Sequence, residues 1–150
     1  QELGYEYCQK FGISTLVKNK TINGKVFDDS TSQTLALGGI TEGVYNYEMC
    51  AAYATIANGG EYNKPTLYSK VVDHDGNVLL DGTGESHTVI KDSTAYLLTN
   101  AMEDVVNSGT GTACQLDNMA VAGKTGTTED SNDLWFVGYT LVHLCRMGRI

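Results

Sequence analysis

Val121-Ala122-Gly123-Lys124-Thr125-Gly126-Thr127-Thr128, followed by Trp135-Phe136-Val137-Gly138-Tyr139-Thr140, decides the reading of this chain. Met119 to Thr128 has the composition of a strand, and so does Trp135 to Thr140. Glu129-Asp130-Ser131-Asn132 is a polar turn between them, with Asp130 and Asp133 as turn and strand-start residues. A short connection of this kind joins neighbouring strands head to tail, so the spacing predicts an antiparallel pair with Lys124-Thr125-Gly126-Thr127 in its first strand.

Upstream the periodicity turns helical. Met49, Ala52, Tyr53 and Ile56 repeat at one helical face and end at Asn58-Gly59-Gly60, which tolerates a left-handed backbone. A second helix is predicted from Ser93 to Val106, with Leu98, Ala101, Met102 and Val105 as its apolar stripe and Asp92 or Ser93 as its cap. Gly109-Thr110-Gly111 stops that helix in a tight loop. Residues 3–11 predict a short first helix closed by Gly12. Asn23-Gly24 marks a turn, and Asp73-His74-Asp75-Gly76-Asn77 marks a hairpin between Tyr68–Val72 and Val78–Leu80. Tyr45, Tyr47 and Tyr53 read as packing around a helix, and Trp135, Phe136 and Tyr139 as core. Leu35-Ala36-Leu37-Gly38-Gly39 is a small apolar patch. Helices and strands mix without βαβ alternation, so the fold class is α+β.

The 150 residues suit one domain, and a net charge of −8 argues against a nucleic-acid or anionic-membrane face. No apolar stretch approaches the roughly 18 residues of a membrane span. Gln1-Glu2-Leu3-Gly4 does not read as a signal peptide, so any targeting segment is expected outside this chain. Cys8, Cys50, Cys114 and Cys145 form no Cys-x-x-Cys pair and have no His at ligand spacing. They read as buried or free thiols. With only His74, His87 and His143, a histidine-based triad or metal centre is poorly supported, and neither metal nor cofactor is expected.

Several blocks in register resemble one family, the bifunctional (class A) penicillin-binding proteins. They are Gln33 to Val44, Ala51 to Gly60, Val105-Val106 through Gly109-Thr110-Gly111, Ala122 to Thr128 and Trp135 to Thr140. The resemblance covers roughly residues 1–140 and implies the C-terminal part of a transpeptidase domain, of the penicillin-binding protein/β-lactamase-like fold, with its N-terminal and final strands missing. It implies a serine acyl-enzyme formed on the D-Ala-D-Ala end of a peptidoglycan stem peptide and resolved by an amine from a second stem peptide. β-Lactams would acylate the same serine. It places the parent at the extracytoplasmic face of the bacterial cell membrane, held there through a region N-terminal to this chain.

Two departures from the family pattern bear on function. No serine among Ser14, Ser30, Ser32, Ser69, Ser86, Ser93, Ser108 and Ser131 has Lys three residues on, and none begins a Ser-x-Asn. The family's Ser-x-x-Lys puts nucleophile and lysine one helical turn apart. Both motifs are expected upstream, so the partner this chain needs is the N-terminal part of the same domain. The second departure is the stretch from Leu141 to Ile150. Back-translated and shifted by one base, it can read Leu-Tyr-Thr-Cys-Ala-Gly-Trp-Ala-Gly-Tyr, which fits the family. Residues 141–150 are therefore expected to be a frameshifted or non-family tail in which His143 and Cys145 carry no functional meaning.

On this resemblance Lys124, Thr125, Gly126, Thr127 and Thr128 bind substrate. The Lys124 ammonium attracts the terminal carboxylate of the stem peptide. Hydroxyls of Thr125 and Thr127, two apart on a strand, face the cleft together. Gly126 lets the substrate backbone lie close. The backbone N–H of Thr127 is one oxyanion donor, a role typically worth about 100- to 1,000-fold in rate. Rival readings fit less well. Gly123-Lys124-Thr125 mimics the end of a P-loop, but Asn118 stands where that motif needs Gly. A serine β-lactamase or carboxypeptidase shares only the Lys-Thr-Gly element. A non-catalytic or vestigial fragment is the remaining alternative. An incomplete domain predicts marginal folding, with the Met119–Thr128 strand and the Leu35–Leu37 patch left without partners.

Overall fold

The computed structural model describes residues 1–128 and 134–140 and the backbone of 146–149. The chain runs α1 (Glu2–Lys10), β1 (Lys20–Ile22), β2 (Lys25–Phe27), a 3-10 turn (Gln33–Leu37) and α2 (Asn46–Ala57). Then come β3 (Glu61–Asn63), β4 (Lys70–Val72), β5 (Val78–Asp81), β6 (Ser86–Thr88) and α3 (Asp92–Asn107). A 3-10 turn (Thr112–Cys114), β7 (Val121–Thr127), β8 (Leu134–Thr140) and β9 (Arg146–Arg149) complete it. All described strand pairs are antiparallel: β1 with β2, β3 with β6, β4 with β5, and a three-stranded sheet in the order β7-β8-β9. The α+β class and the β7–β8 pair follow the sequence reading; the predicted turn at 129–132, with Asp130 and Asp133, lies outside the described residues.

Local chemistry accounts for the short hairpins. Asn23 and Gly24 both take positive φ, 51° and 77°, the two-residue turn whose twist matches that of the flanking strands. In the β4–β5 loop the Asp73 carboxylate accepts the backbone N–H of Asp75 (2.9 Å) and of Asn77 (2.8 Å) and the Asn77 amide (2.9 Å). Those bonds, the Asn77 side chain foremost, hold the Asp73 carboxyl below the usual carboxylate range. A depressed acid contributes stability above its unfolded pKa and loses it as pH falls through the folded one. Asn77→Ala is therefore expected to raise the Asp73 titration midpoint toward the ordinary value, which carboxyl NMR measures; an unmoved midpoint rules out the side-chain bond as the main cause.

Two small cores flank α2. Ala51 packs with Tyr62 and Val89, supported by Phe11 and Ile90. On the other side Tyr53 and Ile56 pack against Met102, Ala122 and Tyr139. The Met49/Ala52/Tyr53/Ile56 stripe thus supplies only one of the two covered faces. The other carries Glu48, Ala51 and Thr55, all buried. Its polar groups are satisfied: Glu48 accepts the Ser14 hydroxyl (2.6 Å) and N–H (3.2 Å), and the Thr55 hydroxyl donates to Ala51 O (2.9 Å). Buried polar groups paired in this way are tolerated. Likewise Asp29, 1% exposed, accepts Val17 N–H, Thr41 N–H and the Thr41 hydroxyl, pinning the N-terminal loops together.

Three sequence expectations are corrected. The buried face of α3 is Ala95, Met102 and Val106; Met102 belongs to the predicted stripe, but Leu98 is 40% exposed and Ala101 and Val105 are not among the buried residues. The phase is set by Thr99, whose hydroxyl donates back to Ala95 O and shares a 2.6 Å bond with the buried Tyr139 hydroxyl. Tyr96 and Leu97 consequently face outward. The α3 N-cap is Lys91, not Asp92 or Ser93; Asp92 sits in the first turn, where its charge complements the helix dipole. Tyr45 and Tyr47 stack on each other on the surface instead of packing inward. Leu37, by contrast, stands 90% exposed, in keeping with the expectation that the Leu35–Leu37 patch lacks a partner.

The reading that the family's final strands are missing left no place for a strand in 141–150. The backbone of Arg146–Arg149 nonetheless pairs with Trp135–Gly138 of β8. Backbone pairing along an open edge is indifferent to side-chain identity, so this strand is compatible with a tail of either origin. His143 and Cys145 lie outside the described residues.

Candidate active site

Strand β7 emerges from the core at the motif. Val121, Ala122 and Gly123 are buried, Lys124, Gly126 and Thr127 are exposed, and Thr125 is half-buried; Thr128, just past the strand, is exposed. The buried half is held by close approach. A Cβ on Gly123 would stand 2.4 Å from Phe136 Cζ, because that ring lies across Gly123 and Gly138. Tyr139 is buried, and Trp135 and Phe136 are half-buried, in keeping with their reading as packing residues.

Register fixes which groups face the open edge. β7 pairs with β8 residue for residue, Ala122 with Tyr139, Lys124 with Val137 and Gly126 with Trp135. The carbonyls of Ala122 and Val137 reach across the ladder, 3.1 and 3.0 Å from where a Cβ would stand on Gly138 and Gly123. In an antiparallel pair the main-chain groups alternate between partner and outside. Ala122, Lys124 and Gly126 therefore bond to β8, while Gly123, Thr125 and Thr127 point theirs outward. The Lys124 ammonium donates to Thr125 O at 2.9 Å, in keeping with an outward-facing Thr125 carbonyl. The Thr127 N–H faces the same open edge, the orientation an oxyanion donor requires.

The side chains divide differently. Thr125 and Thr127 share one face, as expected, but Lys124 leaves from the other and curls round the edge to lie 3.5 Å from the Thr125 hydroxyl. The Thr125 hydroxyl also shares a 2.6 Å bond with the Thr110 hydroxyl. Read from the sequence as a helix stop in a tight loop, Gly109–Gly111 gave no sign of this bond. A Cβ on Gly126 would meet nothing within 4 Å, so no packing inside the described chain demands glycine there. Space against that backbone is left for something else.

Other sites contribute little. A cavity of about 690 Å³ lies at the far end of β8, lined by Ile56, Asn58, Asp92, Tyr96, Thr99 and Tyr139 among others, and includes none of residues 124–128. No group of three or more His, Cys, Asp or Glu able to hold a metal occurs among the described residues. Cys8, Cys50 and Cys114 are half-buried. Burial pushes the Cys8 thiol pKa up, the opposite of what a reactive thiolate needs. No helix among the described residues is long and apolar enough to cross a membrane.

The penicillin binding protein transpeptidase domain matches residues 1–142, and the chain belongs to that family. It is 41% identical over 138 residues to penicillin-binding protein 1A of Clostridium acetobutylicum, covering 91% of this chain and 16% of that protein. Among solved structures it resembles PonA1 of Mycobacterium tuberculosis in complex with penicillin V, with a TM-score of 0.66 and 30% identity over 89% of this chain and 36% of that one. The D,D-transpeptidase domain of a peptidoglycan glycosyltransferase from Eggerthella lenta shares the fold, with a TM-score of 0.63, 24% identity, and 95% and 40% coverage. The chain thus spans about one sixth of the length of the curated relative and about two-fifths of the solved chains.

Proposed function

We propose that the Lys124–Thr128 edge is the carboxylate- and oxyanion-binding wall of a peptidoglycan D,D-transpeptidase site. The observation that carries this reading is the convergence on one open edge of three groups: the Lys124 ammonium, the Thr125 hydroxyl and the outward Thr127 N–H. They flank Gly126, where an added Cβ would meet nothing within 4 Å among the described residues. A ligand ending in D-Ala-D-Ala would lie along β7 with its carboxylate at Lys124 and Thr125 and its scissile carbonyl oxygen at Thr127 N–H. Thr128 would border the same wall. β-Lactams, carrying a carboxylate and a reactive carbonyl, suit the same groups.

The nucleophile is supplied elsewhere in this reading. This sequence holds no Ser-x-x-Lys, so residues 1–140 act as the C-terminal part of the domain, and its N-terminal part contributes the serine and the second oxyanion donor. Residues 141–150 stand outside that functional unit. The site works at the extracytoplasmic face of the cell membrane, where stem peptides are. Without its partner segment the chain is a binding surface that does not acylate.

Titration of the isotopically labelled chain with N-acetyl-D-alanyl-D-alanine tests the reading. Resonances of residues 124–128 are expected to shift. Lys124→Ala should weaken binding about 10- to 100-fold, the scale of a charge-assisted hydrogen bond. Shifts that avoid this strand, or an unaffected K124A variant, overturn the assignment.

A further inference from the structure

We infer that Thr110 is a positioning residue for the Thr125 hydroxyl, fixing the direction of the proton that this hydroxyl offers to a ligand carboxylate. The inference rests on the carboxylate-binding reading of the β7 edge.

Thr110 reaches the site from a loop that is locked by backbone. The N–H groups of Gly109 and Gly111 both donate to Val105 O, at 3.1 and 2.9 Å. A Cβ on Gly111 would lie 3.2 Å from that carbonyl and 3.4 Å from Phe136, so the loop closes tightly over the end of α3. It presents the Thr110 hydroxyl to β7, fifteen residues further along, where it meets the Thr125 hydroxyl at 2.6 Å. Gly111 also abuts Phe136, the cross-strand partner of Thr125, so loop and strand are held on the same face.

Hydrogen-bond polarity then follows from counting. A threonine hydroxyl has one proton to donate and two lone pairs that accept. An ammonium only donates, and the Lys124 ammonium lies 3.5 Å from Thr125 Oγ1. An ionised carboxylate only accepts. If Thr125 spends its single proton on Thr110, it has nothing to give the ligand. With a carboxylate bound, Thr110 must be the donor and Thr125 the acceptor in their shared bond. Both Thr125 lone pairs are then occupied, by Thr110 and by the ammonium, and its proton is directed to the ligand. Thr110 touches no ligand atom in this arrangement. It holds the rotor that does.

The test compares N-acetyl-D-alanyl-D-alanine with its C-terminal amide, using the full chain as wild type, Thr110→Val and Thr110→Ser. Binding is read by NMR titration, and the Thr125 χ1 rotamer by three-bond couplings without ligand. Thr110→Val keeps the shape and removes the hydroxyl. It is expected to weaken binding of the acid about three- to tenfold, the scale of one hydrogen bond. Amide binding should stay unchanged, and Thr125 χ1 should average between rotamers. Thr110→Ser should restore both acid binding and the single rotamer. Equal losses for acid and amide, or an acid affinity that Thr110→Val leaves intact, overturn the inference. If wild type binds neither ligand, the carboxylate reading is what has failed. The couplings then judge Thr110 separately: a Thr125 rotamer identical in wild type and T110V refutes positioning outright.

Discussion

Incubated with a fluorescent penicillin and run on a denaturing gel, this chain is expected to show no covalent label above a heat-denatured control. β-Lactam acylation needs a serine whose proton is removed as it attacks, and an adjacent lysine one helical turn away serves that end in this family. None of the eight serines has that neighbour in sequence. The structure shows where several of their hydroxyls are engaged instead. Ser14 donates to Glu48 at 2.6 Å, Ser30 to Asp28 at 2.5 Å, and Ser108 to Asp104 O at 3.2 Å. Each of these hydroxyls is engaged in a structural bond to another part of the chain, and none bonds a residue of the Lys124–Thr127 edge. The Thr127 N–H can polarise a bound lactam carbonyl, but with no Ser-x-x-Lys in the sequence that carbonyl is expected to stay intact. Reversible binding without labelling is therefore the expected combination. A labelled band that survives denaturation from this chain alone sinks the claim that the acylating serine lies elsewhere. Mapping the modified residue would then identify the nucleophile directly.

What could be read from the sequence was whatever depends on neighbours along the chain. Asn23-Gly24, the Asp73–Asn77 loop and the β7–β8 pair each follow from local backbone preferences and short connections, and all three stand in the structure. The Lys-Thr-Gly-Thr run was legible for the same reason: its chemistry is contiguous on one strand. The phase of α3 was not. Two overlapping stripes are available, one through Leu98 and Val105 and one through Ala95 and Val106. The choice between them rests on Thr99 meeting Tyr139, forty residues away. The bond from Thr110 to Thr125 has no sequence signature either, because a threonine between two glycines reads first as a helix stop. Tyr45 and Tyr47 were misplaced because aromatic composition near a helix does not say which side a neighbour covers. In each of these cases a long-range contact decided, and hydrophobic pattern alone is blind to it.

Gly60→Ala is expected to be strongly destabilising, lowering the unfolding free energy by about 3 kcal/mol or more. Gly60 has φ of +94°, where an L-residue with a Cβ is strained by about 1–2 kcal/mol. The added Cβ would also stand 2.0 Å from Ile90 O and 2.8 Å from Ile90 C, both backbone atoms that no rotamer change can move aside. Separation would break the bonds this turn makes: Gly60 N–H donates to Thr55 O at 2.8 Å, and Gly60 O accepts from Val89 N–H at 2.8 Å. Gly60 is where α2 passes into β3, and its carbonyl holds Val89, which leads from β6 into α3, against that turn. Its failure would loosen the Ala51–Tyr62–Val89 core and shift the start of α3, the helix whose Met102 packs on Ala122 just before Lys124. Gly24→Ala is the control. Its φ is +77°, but a Cβ there meets nothing within 4 Å, so only the same left-handed strain of about 1–2 kcal/mol applies, without a clash. Urea unfolding followed by the single tryptophan, Trp135 on the strand facing the motif, separates the two. If the Gly60 variant is no less stable than the Gly24 variant, close packing of Gly60 against Ile90 does not hold α2 to α3. The support of the Lys124–Thr127 edge must then be sought in the β7–β8 ladder alone.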